Sequence, residues 1–323
     1  MPEVIEIYDD RLRAMVSPDA SLQKLANGAV HSEGPVYFHE DDSVVWSDAH
    51  GNRLLRWSPT DDVSVLRDPS DYQSGNYRDL EGRLVACSSG LRAIIRREDN
   101  GEWKVLVDRY QGKRLNSPND LVVKSDGTIW FTDPPYGITE PNQGYGGEQE
   151  QPGSYVYRFD PATGEIYPVV TDMVRPNGLA FSPDESLLYV SDTAAFNIPG
   201  GPHHIRVYEV VGVGVAGTSL RDAPRMAALS DRGKHHYVTN GRVFAVIEPG
   251  QPDGLRVDEH GNVFTSSQDS VQIYAPDGTR LGKIFVPETS ANLTFGGKES
   301  DRLFITAGHS LYAIDLNTRG VQQ

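Results

Sequence analysis

The chain has 323 residues, enough for one large domain or two ordinary ones, and its 30 basic against 45 acidic residues give a formal charge of −15. That charge argues against nucleic acid or an anionic membrane surface as a partner, and no apolar run approaches the roughly 18 residues of a membrane span. Thirty-two glycines and 21 prolines interrupt nearly every window long enough for a helix, which suits a fold built of strands and turns.

Residues 1–32 read as a lead-in, with a short strand or helical turn within Ile5 to Val16. The N-terminus, Met1 to Glu6, is acidic and lacks the basic and apolar stretches of a secretory leader. With a single cysteine, Cys87, no intrachain disulfide can form, and a cytoplasmic location is expected.

From Glu33 onward one pattern recurs. A polar turn leads into a short apolar strand, a second turn follows, and one or two further strands complete the unit. The first unit runs Glu33-Gly34-Pro35-Val36, Val44 to Asp48, Leu54 to Trp57. The second runs Ser74-Gly75-Asn76-Tyr77, Leu84 to Cys87, Ala93 to Ile95. The third opens at Asn116-Ser117-Pro118-Asn119-Asp120 and pairs Leu121–Val123 with Ile129–Thr132 across a Ser-Asp-Gly turn, a strong hairpin signal. The fourth opens at Asn177-Gly178, the fifth at Asp253-Gly254 and the sixth at Ala291-Asn292. Taking Glu33, Ser74, Asn119, Asn177, Asp253 and Ala291 as equivalent, the steps are 41, 45, 58, 76 and 38 residues. Such a period, with three or four strands per unit, predicts an all-β, six-bladed β-propeller filling residues 1–323 as one domain. The lead-in is expected to close the last blade. A pair of β-sandwiches is the alternative that the same strands allow. The long steps are insertions: a polar, Gly-rich loop from Ile138 to Ser154, and extra strand material between Gly212 and Gly250.

In a propeller the first strands line the central channel, so the six register residues should meet at one mouth. Four of them, Glu33, Asn119, Asn177 and Asp253, carry carboxylate or amide oxygens, a donor set for a hard divalent cation such as Ca²⁺. No Cys or His falls in the register, which counts against a typical zinc site. The bland reading is that Asn and Asp enter strands because they satisfy nearby backbone groups; four in register across separate units weigh against it. Asp48, Asp133 and Asp192 recur where second strands end, as turn caps or as a second cation site. The pairs His203-His204 and His235-His236 alternate faces in a strand and make poor chelates. Gly212-x-Gly214-x-x-Gly217 has the letters of a dinucleotide fingerprint without a βαβ setting. Asn292-Leu293-Thr294 is a glycosylation sequon by letters alone, and Cys87 reads as core.

Together, Ser32 to Pro35, Asn116 to Asp120, Phe131 to Gly137, Arg175 to Leu179, Pro252 to Gly254, and Asn292 to Gly297 with Leu303 to Gly308 resemble the senescence marker protein/gluconolactonase/luciferin-regenerating enzyme family, its bacterial gluconolactonases above all. The resemblance spans about residues 30 to 315. It implies a six-bladed propeller with one divalent cation at the channel mouth, most simply Ca²⁺, with Mg²⁺, Mn²⁺ or Zn²⁺ as substitutes. It maps metal ligands onto Glu33, Asn177 and Asp253, with Asn119 as a further ligand or substrate contact. It implies hydrolysis of a sugar lactone such as gluconolactone by a monomer or homodimer, with Asp253 as the base and Asn119 and Tyr136 orienting substrate. Two positions depart from the family pattern. Ser117, a candidate substrate-binding residue, stands where the animal branch has an arginine, so that arginine's contact is missing or supplied elsewhere. Ser88-Ser89-Gly90 stands where bacterial relatives have Glu-His-Gly. The Ile138–Ser154 loop is a candidate lid. Hydrolysis of a phosphoester or organophosphate in the same site, and a non-catalytic binding propeller, are the competing functions.

Overall fold

The structure is a computed structural model and describes residues 4–211 and 237–321. Two short strands come first, β1 (Ile5–Ile7) and β2 (Gln23–Asn27), and six sheets follow in chain order. Blade 1 is β3 (Ser32–Phe38), β4 (Ser43–Asp48), β5 (Arg53–Ser58) and β6 (Asp62–Arg67). Blade 2 is β7 (Gln73–Arg78), β8 (Leu84–Ser88), β9 (Ala93–Arg97) and β10 (Trp103–Val107), followed by a small hairpin of β11 (Arg109–Tyr110) and β12 (Lys113–Arg114). Blade 3 is β13 (Leu121–Val123), β14 (Ile129–Asp133), β15 (Tyr155–Asp160) and β16 (Glu165–Val170), with a four-residue helix α1 (Tyr136–Thr139) after β14. Blade 4 is β17 (Pro176–Phe181), β18 (Leu187–Asp192), β19 (His204–Val211) and β20 (Tyr237–Val246). Blade 5 is β21 (Leu255–Val257), β22 (Val263–Ser266), β23 (Ser270–Tyr274) and β24 (Arg280–Phe285), and blade 6 holds β25 (Ser290–Gly296), β26 (Arg302–Ala307) and β27 (Ser310–Asp315).

The chain is therefore an all-β, six-bladed propeller. Within each blade the strands are antiparallel neighbours in sequence. The Ser125-Asp126-Gly127 turn pairs Leu121 with Phe131 and Val123 with Ile129. Gly127 takes φ +83° there, a conformation that favours glycine. Second strands such as β4 and β8 are buried along their whole length, whereas the outer strand β6 is largely exposed. Between blades, Trp46, Trp130, Phe131, Tyr157, Tyr189, Phe264 and Phe304 are fully buried; each such side chain contributes roughly 1.5–3 kcal/mol.

The lead-in joins two blades. β2 pairs with β27 and supplies the fourth strand of blade 6, while β1 pairs with β24 and gives blade 5 a fifth strand. β20 lies in the 212–250 insertion and is the outer strand of blade 4; the Gly212–Gly217 letters and His235-His236 lie outside the described residues. No helix among the described residues is long and apolar enough to cross a membrane.

Candidate functional site: the channel mouth

The first strands of neighbouring blades touch at their mouth ends. Gly75 N–H donates to Asn119 O (2.7 Å), Gly178 N–H to Asp253 O (3.2 Å) and Gly254 N–H to Ala291 O (2.7 Å). The backbones come so close that a Cβ on Gly34 would lie 2.1 Å from Ser74 O, and one on Gly178 would lie 2.3 Å from Asp253 O. Hydroxyls on second strands hold the same backbone: Ser47 Oγ donates to Ser74 O (2.8 Å) and Ser191 Oγ to Asp253 O (2.6 Å). The predicted register residues are thus adjacent members of one ring.

Three more carboxylates fix the segments that lead into this ring. Asp48 accepts the N–H groups of Val30 (2.8 Å) and His31 (3.0 Å), just before Glu33. Asp133 accepts Asn116 N–H (2.8 Å), before Asn119. Asp192 accepts Val174 N–H (2.9 Å) and Arg175 N–H (3.0 Å), before Asn177. All three are buried backbone clamps. Burial pushes the Asp133 carboxyl up to about 7.

Glu33 and Asn177 are buried and Asp253 is half-buried at the mouth. Glu33 Oε2 accepts Gly34 N–H (2.9 Å), and its Oε1 lies 3.7 Å from His31 Nε2. The His31 ring stacks on His50 with 4.5 Å between centroids. Burial, and then the charges of Glu33 and Asp120, push the Asp253 carboxyl well above the usual range, while an Asn177 hydrogen bond opposes the shift. The Asn119 side-chain amide makes no hydrogen bond to the described residues. Tyr136, at the start of α1, is buried, with the Asn177 amide and the Asp253 carboxylate beside its hydroxyl.

Two ring members were not expected from the sequence. One position further into the channel, four blades carry Gly34, Gly75, Gly178 and Gly254, whereas blades 3 and 6 carry Asp120 and Asn292. These two side chains fill the space the glycines leave: Asn292 Nδ2 donates to Asp120 Oδ2 (3.2 Å) and to Glu33 Oε2 (3.4 Å). Asp120 is buried, which pushes its carboxyl up to about 6 against the pull of Arg256, whose Nη1 is 3.9 Å from it. Glycine at four equivalent positions was the signal that could have exposed the two exceptions. Asn292 is buried, so its sequon is closed to glycosylation.

Other expectations change. Ser117 is fully buried; its hydroxyl donates to Pro134 O (2.6 Å) and accepts from Gly137 N–H (2.9 Å). It fastens the turn into α1 and has no surface to offer a substrate. Ser89, in the Ser88-Ser89-Gly90 departure, is also buried and donates to Pro118 O (3.1 Å), beneath Asn119. The Ile138–Ser154 loop is tied down instead of hanging free as a lid. Tyr145 Oη donates to Asp71 (3.0 Å), Gln151 Nε2 donates to Lys113 O (3.0 Å), and Asn116 Nδ2 holds Gly153 O (2.9 Å). His203 and His204 lie on β19 and the loop before it, and Cys87 is buried core.

No set of three or more His, Cys, Asp or Glu side chains gathers around one point among the described residues. The set here is different: two carboxylates and two amides on four first strands. The charges of Glu33 and Asp120 act on Asp253, and Arg256 is the basic partner of Asp120. Oxygen donors with this surplus of negative charge fit a divalent cation.

A profile of the family described as SMP-30/Gluconolactonase/LRE-like region matches residues 31–200 and 224–309. The chain belongs to this family. Within it, the chain is 32% identical to a gluconolactonase of Zymomonas mobilis, over 97% of this chain and 86% of that one. It is 27% identical to a 6-deoxy-6-sulfogluconolactonase of Pseudomonas putida, over 86% and 84%. Among solved structures, a gluconolactonase from Xanthomonas campestris superposes with a TM-score of 0.84 at 38% identity, covering 97% of this chain and 95% of that one.

Proposed function

We propose that the protein is a metal-dependent hydrolase that opens a sugar lactone, of the gluconolactone class, to the aldonic acid. The reading is supported by Glu33 and Asn177 acting on Asp253 at the mouth, in a family member similar to gluconolactonases along nearly its whole length. Glu33, Asn177 and Asp253 would hold one divalent cation, Ca²⁺ in first place, with Asn119 as a fourth ligand or a substrate contact. Bound there, the cation would polarise the ester carbonyl and steady the developing oxyanion.

The chain's own groups do the rest. Asp253 takes the proton of the attacking water as the new carbon–oxygen bond forms, and returns it to the ring oxygen as the acyl–oxygen bond breaks. The product is the open hydroxy acid. Tyr136 and Asn119 orient the lactone. The buried backbone of the ring holds these groups still, so little rearrangement is needed when substrate arrives.

The test is proton release from a panel of aldonolactones, using chelator-stripped protein with Ca²⁺, Mg²⁺, Mn²⁺ or Zn²⁺ restored singly. Metal-dependent turnover of one lactone far above the spontaneous rate supports the reading. Stabilisation by metal without lactone turnover would refute it, and would turn attention to phosphoesters or to a binding role.

A further inference from the structure

Two residues before the register residues of the six blades stand His31, Tyr72, Ser117, Arg175, Gln251 and Thr289. Two of these are cationic or imidazole donors. They sit on blades 1 and 4, which face each other across a six-membered ring. His31 already has company, since its ring stacks on His50 and its Nε2 faces Glu33. Ser117 is spent on Pro134 and Gly137. Arg175 is different. Its backbone is fixed at both ends, with its N–H on Asp192 (3.0 Å) and its carbonyl accepting Thr193 N–H (3.0 Å). Its guanidinium lies over the Tyr136 ring, 5.8 Å from the centroid. Its Nε is buried without a partner, and the guanidinium makes no hydrogen bond or ion pair with the described residues.

Two other arginines have clear partners. Arg53 holds Asp48, and Arg92 holds Leu115 O. An arginine left without a partner beside the reacting groups, and propped on an aromatic face, is a fork of donors waiting for oxygen acceptors. Tyr136, whose ring the guanidinium covers, has its hydroxyl beside Asn177 and Asp253, so donors from blade 4 and from α1 stand on the same side of the site.

We propose that Arg175 is the substrate-anchoring and specificity-determining residue: its guanidinium donates to hydroxyl oxygens on the part of the lactone that does not react. This inference rests on the lactonase reading above. It assigns Arg175 a preference for polyhydroxylated lactones over bare ones, because a bare ring offers the fork nothing to accept its hydrogens.

Steady-state kinetics on two substrates test it, glucono-δ-lactone and the unsubstituted δ-valerolactone, with wild type, Arg175→Met and Arg175→Lys. Loss of a charge-assisted contact should lower kcat/KM of the Met variant for gluconolactone by roughly 10- to 100-fold, chiefly through KM, while kcat/KM for δ-valerolactone stays within about threefold. The Lys variant should recover part of the loss. Calorimetric binding of gluconate, which needs no turnover, should weaken in parallel. Equal losses on both lactones, or no loss on either, overturn the inference while leaving the lactonase reading standing. A wild type inert on both lactones defeats that reading and this inference with it. The side chain makes no internal hydrogen bond, so melting of Arg175→Met should match wild type; if it does not, Arg175→Lys carries the comparison.

Discussion

The two ends of the channel are built from the same six strands and have opposite characters. At the mouth the segments entering the first strands carry Glu33, Asn119, Asn177 and Asp253, with Tyr136 and Arg175 beside them. Towards the far end the same strands place Val36, Phe181, Val257 and Phe295, with the guanidinium groups of Arg78 and Arg256, around a cavity of about 60 Å³. Residues 316–321 run beneath it, tied by Gly320 N–H to Ser300 O (2.8 Å) and by Thr318 Oγ to Asp258 Oδ2 (2.8 Å). Each first strand therefore divides its labour along its length. Its closed end supplies burial, and its open end spends that stability on groups that would be costly anywhere else. The carboxylates report the same split. Glu288, at the rim of blade 6, is partly buried, yet hydrogen bonds from Ser310, Tyr312 and His309 N–H and the Lys24 ammonium outweigh that and pull its carboxyl down to about 2. Asp253 is pushed the other way, first by burial and then by the charges of Glu33 and Asp120.

The comparison breaks most sharply at Asp253. Replacing it with Asn should cut turnover by roughly 10²–10⁴-fold, without lowering the melting temperature, since a crowded buried charge is removed. A variant that keeps full turnover would end the base assignment. Arg256 is the matching probe deeper in the channel. Arg256→Met strips Asp120 of its counter-charge and should cost roughly 3 kcal/mol of stability, with KM for lactone unchanged. The loss should depend on pH. The Asp120 carboxyl sits above its unfolded value, so the folded state favours its neutral form; the stability difference from wild type should shrink as pH falls below about 6 and grow above it. Urea unfolding at pH 5 and pH 8 decides this, and an equal penalty at both would show that Arg256 acts by packing alone.

Smaller effects sharpen the distinction between groups that fasten and groups that face substrate. Ser117→Ala should lose about 1 kcal/mol from the turn into α1 and leave KM as it was; a large rise in KM would restore Ser117 to the substrate contacts. Glu288→Gln should cost about 1 kcal/mol at neutral pH, after allowance for solvent screening. Because the Glu288 carboxyl lies below its unfolded value, that contribution is complete above about pH 4.5 and fades as pH falls towards 2. Acid titrations of wild type and variant should therefore converge, and parallel curves would refute the clamp.

Much of this arrangement was legible before any coordinates. Short apolar strands bounded by Asp-Gly and Asn-Gly turns have few ways to pair, and six repeats of them leave a ring as the economical solution. Period-2 geometry then puts the leading residue of every first strand at the same level, so Glu33, Asn177 and Asp253 could be grouped from spacing alone. What stayed hidden depends on facts that spacing does not hold. Asp120 looks like an ordinary turn residue until the glycines around it are seen in contact. Ser117 is a hydroxyl whose direction is set by Pro134 and Gly137, partners 17 and 20 residues away. β1 and β2 are short, mixed in polarity, and paired with strands some 280 positions later, and nothing local marks them as sheet.

Those two strands carry a consequence for how the molecule is made. Residues 5–27 are made long before their partners on β24 and β27. Throughout synthesis the nascent chain carries two unmatched sheet edges, one at the N-terminal strands and one advancing with each new blade. The ring can seal only when the final blade emerges, so a chain stalled or truncated before β27 would have blades but no clasp. Moving the chain's ends to the β2–β3 junction, so that Asn27 becomes the last residue made, would place β2 directly after its partner and remove the long wait.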